Sequence, residues 1–553
     1  MLNKAKMTRT VAVIAPMVDE KQYHLDFRLL LSGSGRELTL STLLDLAKDN
    51  FSTRNIHPIP SKRNMMPAAG FYLAGLLREQ GYNTLLTYEC NKESLELIAS
   101  EDPIAVCLST TMILSNDSLK NYLNKIRDYL PETVIIVGGI YVWKSYQFYE
   151  FAAGKKELAN NSSELLFHAN SSDFDADVFV VAPHGRESLL MVLKEIQNGK
   201  NSSFEDIPNL ALPDSSGEFI FTRRSLEEVD YDVDFTRWDL IDELPEQIPI
   251  RTSIGCPFRC RYCDFYRLNP DIFFRSKESL RKELDMLVPR IKNTSSILHA
   301  TDDNIFIHNK RLKEVVEVFI DAEIQRWIGF MRASTINELN IDLVRRSGLL
   351  IALVGVESGD EGQLQRMNKA QSLVKVKQGI ELMDQHGINV LMTYIMGFPG
   401  ETPETVNNTA RFINDLQIRR ASSSYLLFPL LISPFSDLAM TEYRQKWQIK
   451  GIWEHWSHYT MNYEESIEYS YKLFRQVSRV PYHYLEERTA FNQHAFNTKQ
   501  RLRLFQLRHK LTLAILDKLP GYRIREIITD ISGELQLPVE SISDVFINEI
   551  TIG

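Results

Sequence analysis

With 553 residues, 44% of them apolar and 24% charged, the chain can build two to four domains with their own cores, and extended disorder is excluded. A formal net charge of -9 gives no basic footprint, so no nucleic-acid partner is expected. Five cysteines, an odd number and low for this length, indicate a reducing, cytoplasmic setting with thiols free for metal or redox work.

The first residues, MLNKAKMTRTVAVIAPMVDE, carry basic residues and a short apolar run that stops at Asp19 without a small-residue cleavage site. They read as a first strand, not as a signal peptide. No segment approaches the roughly 18 consecutive apolar residues that would span a bilayer, so no membrane partner is expected. From there to about residue 200, apolar runs at 11–15, 83–87, 104–108, 133–137 and 177–181 alternate with helical patterns such as GFYLAGLLREQG and SLKNYLNKIRDYL. Runs of Val, Ile and Leu without alternation mark strands buried on both faces, hence a doubly wound parallel sheet over residues 1–207. An irregular insert at 19–66 has no assignable pattern, and His24 within it reads as a surface residue.

Residues 208–249 read as a connector with a hairpin at Ser216 and Gly217. Strand candidates then resume at 251–254, 297–300, 328–332, 351–356, 389–395 and 424–429. The clearest intervening helix is SKESLRKELDMLVPRI, with Ser276 as N-cap and Leu280, Leu284, Leu287 and Ile291 on one stripe. Six βα units over 250–435 predict an open (β/α)6 barrel with its site at the C-terminal strand ends. Residues 436–553 lose the β pattern and are predicted mainly helical. Their aromatic start, with Trp447, Trp453, His455, Trp456, His458 and Tyr459, fits core packing first and a substrate lid second.

Cys256, Cys260 and Cys263 are spaced CxxxCxxC in GCPFRCRYCDFY, on the loop after the first predicted barrel strand. Structural zinc asks for four protein ligands, and the next cysteine or histidine is His299. A four-iron cluster held by three thiolates leaves one iron open to bind a substrate. This motif, with Tyr262 before the third cysteine, resembles the signature of radical S-adenosylmethionine enzymes. The resemblance implies that Cys256, Cys260 and Cys263 hold a 4Fe-4S cluster, and that the open iron chelates S-adenosylmethionine for one-electron cleavage to an adenosyl radical. It also implies cofactor contacts from Tyr262, from Gly355, Glu357 and Ser358 in LVGVESGDE, from Gly397 in YIMGFPGET, and from Asp302 in TDDN. Asp302, Asp303 and Arg332 have an equally plain reading as caps and ion pairs. Glu357 has a firmer functional reading, because an acid directly after a buried strand is costly unless something uses it.

In the first domain the strand ends carry Ser109, Thr110 and Thr111, then Gly138 and Gly139, then Gly185 and Glu187 beside His184 and Arg186. Glycines allow close approach and hydroxyls offer adaptable hydrogen bonds, which suits a nucleotide-like ligand beyond the sheet edge. Followed by a CxxxCxxC barrel, this arrangement resembles the cobalamin-binding class of radical S-adenosylmethionine enzymes over roughly residues 65–435. The chain departs from many cobalamin domains in lacking a DxHxxG loop. The resemblance implies a third cofactor, cobalamin, a small-molecule substrate and a reducing partner such as flavodoxin or ferredoxin. It implies a methyltransferase acting on an unactivated carbon of a metabolite or natural-product intermediate. A ring-forming or rearranging radical enzyme and a sensor without turnover are the alternatives.

Overall fold

A computed structural model describes residues 9–16, 68–152, 165–199, 203–268, 271–294, 296–420, 423–483 and 497–536. The predicted insert at 19–66, with His24, lies outside them. The described residues divide into two compact units, one comprising those within 9–16, 68–250 and 275–292, the other those within 251–274 and 293–536.

The first unit is built on strands β1 (Thr10–Ile14), β2 (Asn83–Thr87), β3 (Ala105–Ser109), β4 (Val134–Gly138), β5 (Val178–Val180), β6 (Leu210–Pro213) and β7 (Phe219–Phe221), in sheet order β2-β1-β3-β4-β5-β6-β7. The first five run parallel, and β6 and β7 are antiparallel. The continuous apolar runs have the predicted cause, burial on both faces. Ala12, Ile14, Val106, Leu108, Ile135 and Val137 pack into one core. Their neighbours Val11, Val13, Ala105, Cys107 and Ile136 pack into another. The hairpin at Gly217 is present, with Gly217 at φ +87°, and its two strands extend this sheet.

Five strands of a six-stranded sheet lie in the second unit, all parallel: β11 (Ile297–Ala300), β12 (Trp327–Met331), β13 (Leu349–Glu357), β14 (Asn389–Met396) and β15 (Ser424–Pro429). The sixth is β8 (Gln247–Ile250), so the expected first barrel strand at 251–254 is displaced. Within that stretch Ser253–Ile254 (β9) pairs antiparallel with Phe273–Phe274 (β10) and clips the base of the cysteine loop. The short RTSI run could not reveal this, because pairing partners are non-local. The helix Lys277–Ile291 starts at Ser276, whose hydroxyl accepts from Ser279 N–H, as expected from its sequence. After β15 the described chain is mainly helical, through Thr441–Trp447, Tyr463–Gln476, Thr498–Leu516 and Gly521–Leu535. Among the described residues no helix is long and apolar enough to cross a membrane.

Candidate functional site

The cysteine loop leaves β9, turns at Gly255 (φ +83°), where a side chain would collide with the Asp271 carbonyl, and returns to β10. Cys260 is buried, and Cys256 and Cys263 are half-buried. The three thiols sit close enough to act on one another: Cys260 and Cys256 both raise the Cys263 thiol, which burial first pushes up to about 12. Burial likewise raises Cys256, against a nearby Arg332 that favours the thiolate. Three clustered thiols, one buried and two half-buried, need a cationic metal to ionise together, because their thiolates would repel one another. Among the described residues no three His, Cys, Asp or Glu converge as ligands of a single ion. A cluster spreads its thiolates over separate irons, so the donor set fits that group better than zinc.

Beside the thiols lies a buried polar triad. Lys369 Nζ donates to Glu357 Oε1 at 3.0 Å and to the Tyr262 hydroxyl at 3.1 Å, and that hydroxyl donates to Glu357 at 3.1 Å. Glu357 ends β13 in a left-handed conformation, φ +69°, past a register shift between Gly355 and Glu357. That bulge turns its carboxylate back toward the cysteine loop. Burial and the neighbouring Glu357 push the Tyr262 phenol well above its usual range. Gly355 belongs here by necessity, since a Cβ would overlap Glu357 Oε1 and stand 3.0 Å from Lys369 Nζ. Lys369 escaped sequence reasoning: it sits in a loop, without periodicity or motif, and only folding makes it the partner of Glu357.

The remaining candidates divide. Arg332 lies 3.5 Å over the Phe258 ring, within the cysteine loop, and donates to the Ala370 carbonyl at 2.7 Å, while its Nη2 is buried without a hydrogen-bond partner. Asp302 has a structural task, accepting from Thr252 N–H at 3.0 Å and from the Ser253 backbone and hydroxyl, and Asp303 accepts from Gly255 N–H at 3.1 Å. Both tie the base of the loop. Ser358 is buried, 3.3 Å from the Thr409 hydroxyl. Gly397 (φ +91°) donates to the buried Glu401, and its carbonyl lies 2.8 Å from His458 Nε2. Trp456 stacks on His458 at 4.9 Å and joins Trp447 and Phe398 in a core cluster. The aromatic stretch therefore buttresses the Gly397 turn from behind, and its packing reading holds for Trp447, Trp456 and His458.

In the first unit, order β2-β1-β3-β4-β5 puts the topological switch between β1 and β3, beside the predicted strand-end residues. Ser109 and Thr111 share a hydroxyl contact of 3.1 Å, and Thr110 donates twice to the Gly138 carbonyl, at 2.7 and 2.9 Å. Gly139 is left-handed, φ +110°, and a Cβ there would press on Thr110 N at 2.9 Å; Gly138 faces only Val180, at 3.6 Å. Gly185 (φ +66°) caps the helix Arg186–Asn198, with Glu187 exposed in its first turn. Met112, Leu114 and Ile140 stand exposed around these hydroxyls and glycines. An apolar rim around small polar residues suits a large flat macrocycle with a hydrogen-bonding tail.

Residues 250–413 match the model of the Radical SAM superfamily. The anaerobic magnesium-protoporphyrin IX monomethyl ester cyclase of Rubrivivax gelatinosus is 24% identical over 395 residues, 68% of this chain and 66% of that protein. The hopanoid C-2 methylase of Rhodopseudomonas palustris is 28% identical over 181 residues, 31% of this chain and 33% of the methylase. The chain thus spans just under two thirds of one relative and a third of the other. In fold it is similar to the radical S-adenosylmethionine methyltransferase TsrM of Kitasatospora setae, solved with cobalamin and a 4Fe-4S cluster, with a TM-score of 0.52 and 16% identity over 79% of this chain and 75% of that one.

Proposed function

We propose that this chain, whose residues 250–413 match the model of the Radical SAM superfamily, is a cobalamin-dependent radical S-adenosylmethionine methylase of an unactivated carbon in a small metabolite or natural-product intermediate. The observation that carries the reading is the cysteine loop: three clustered thiols at the strand ends of a parallel sheet, adjoining the Tyr262, Glu357 and Lys369 triad. When bound, the cluster supplies the electron that cleaves S-adenosylmethionine and the corrin supplies methyl carriage. Cys256, Cys260 and Cys263 would hold three irons of that cluster and leave the fourth open. The spare Arg332 Nη2 and the Glu357 carboxylate provide one cationic and one anionic handle for an amino-acid moiety there. Gly355 leaves the room that the Glu357 and Lys369 pair occupies. In the first unit Ser109, Thr111 and Gly138 would line the edge that holds a corrin and its tail, beside Met112, Leu114 and Ile140. A small reducing protein, flavodoxin or ferredoxin, delivers electrons in the cytoplasm.

Similarity to the cyclase over more of the chain than to the methylase favours one second reading, a ring-forming radical enzyme without methyl transfer. The two separate by product analysis. Anaerobic protein loaded with cluster and cobalamin, reduced and given S-adenosylmethionine labelled at the methyl group, is expected to form S-adenosylhomocysteine in proportion to its corrin. Formation of 5'-deoxyadenosine with no S-adenosylhomocysteine would overturn the methylase in favour of the cyclising enzyme.

A further inference from the structure

The parallel register of the second unit sorts its strand residues onto two faces, because laterally paired residues point to the same side. On one face Trp327, Met331, Ala352, Val354 and Met392 are all 3% exposed or less, sealed beneath the helices. On the other, His299 pairs with Ile328 and Ile328 with Ile351, while Phe330 pairs with Leu353 and Leu353 with Leu391. The next row joins Gly355 to Thr393. This second face is only partly covered, and Phe330 in its middle is 45% exposed. A half-exposed phenylalanine in the centre of a parallel sheet is unusual, since such sheets are normally covered on both sides.

Three features give the face a chemical character. None of the side chains in these rows carries a charge, so a phosphate or carboxylate laid there would lose its hydration without compensation. His299 Nε2 is buried without a hydrogen-bond partner, and burial pushes the ring down to about 4, which keeps it neutral at physiological pH. It therefore offers one uncharged hydrogen-bonding atom in a largely apolar wall, where the Thr393 hydroxyl in the Gly355 row is a second uncharged polar group. The face is also continuous with the cofactor site, because Gly355 lies on it and is crowded by the Glu357 and Lys369 pair that touches Tyr262 of the cysteine loop.

We infer that this face is the substrate wall, and that the substrate class is a neutral, hydrocarbon-rich body carrying a single hydrogen-bonding group for His299, with any charged portion held off the sheet. The inference rests on the radical S-adenosylmethionine reading, and it adds what that reading leaves open. Phe330, Leu353 and Leu391 supply contact area, and His299 fixes the orientation of the body relative to the cysteine loop.

The test uses the full chain with its cluster reconstituted anaerobically, and pyrenemethanol, a fluorescent polycyclic hydrocarbon with one hydroxyl, as the probe. Emission titration is expected to show saturable binding that glucose and adenosine monophosphate do not compete away. Phe330→Asp, at an already exposed position, is expected to weaken the probe by about tenfold or more, since it sets a charge in the apolar wall. His299→Phe is expected to weaken pyrenemethanol while leaving methylpyrene, which lacks the hydroxyl, within about twofold. Bound iron and circular dichroism check that each variant is folded. No binding by iron-loaded wild type, indifference to Phe330→Asp, or an equal loss of both probes in His299→Phe would overturn the inference. Failure of wild type to take up iron would instead strike the cofactor reading on which it rests.

Discussion

Three thiols that form one ligand set are each indispensable to it. Cys256→Ala, Cys260→Ala and Cys263→Ala are each expected to abolish reconstituted iron absorbance and reductive cleavage of S-adenosylmethionine. Cys107 lies in the core of the first unit, pushed up to about 12 by burial, so Cys107→Ala is expected to keep both; loss of iron there would refute the ligand assignment. Glu401 yields a pH prediction. Burial raises its carboxyl to about 7 even though it accepts from Gly397 N–H. The unfolded chain ionises this group near its ordinary value while the folded chain keeps the proton, so the folded state binds more protons between about pH 4.5 and 7. Its contribution is therefore fully present below that window and is lost as pH rises through about 7. Glu401→Gln removes the titration, so its stability relative to wild type should climb across the window by on the order of 3 kcal/mol. Urea unfolding midpoints at several pH values would show it, and a flat difference would mean that Glu401 is not held protonated.

At the scale of elements, the turn after β4 separates a strained glycine from an unstrained one. Gly139 has φ +110° and no room beside Thr110, whereas Gly138 has ordinary contact space against Val180. Gly138→Leu is expected to block uptake of hydroxocobalamin, followed in the visible spectrum, with little change in melting temperature, because the added side chain enters ligand space and not the core. Gly139→Leu is expected to lower the melting temperature by several degrees as well, on the order of 1–3 kcal/mol of backbone strain and overlap. If Gly138→Leu takes up the corrin as wild type does, the β3 to β5 edge is not the corrin site. The strands themselves were legible to within a residue or two, because runs such as NTLLT and SYLLFP are continuous and bounded by turn residues. The exception, 251–254, shows the limit: Gln247–Ile250 and Ser253–Ile254 are both short β-prone stretches, and only their partners decide which enters the large sheet.

Over the whole molecule, each unit carries its own core, with Val106, Leu108 and Val137 in one and Phe398, Trp447 and Trp456 in the other. Cofactor loading should therefore be separable. A chain with all three loop cysteines changed to Ala is expected to bind hydroxocobalamin as wild type does, and Gly138→Leu to retain full iron; loss of both cofactors in either variant would contradict separate loading. The order of residues alone determined what depends on near neighbours in the chain: two successive α/β regions, the helix start at Ser276, and the spacing of Cys256, Cys260 and Cys263, since caps, buried apolar runs and close ligand spacing are local signals. Only the tertiary structure decided that Lys369 answers Glu357, that Asp302 ties the loop base, and that His299 and Phe330 share an uncharged face. Those facts depend on strand register and on a bulge at the end of β13, where a shift of one residue sends every following side chain to the opposite side of the sheet.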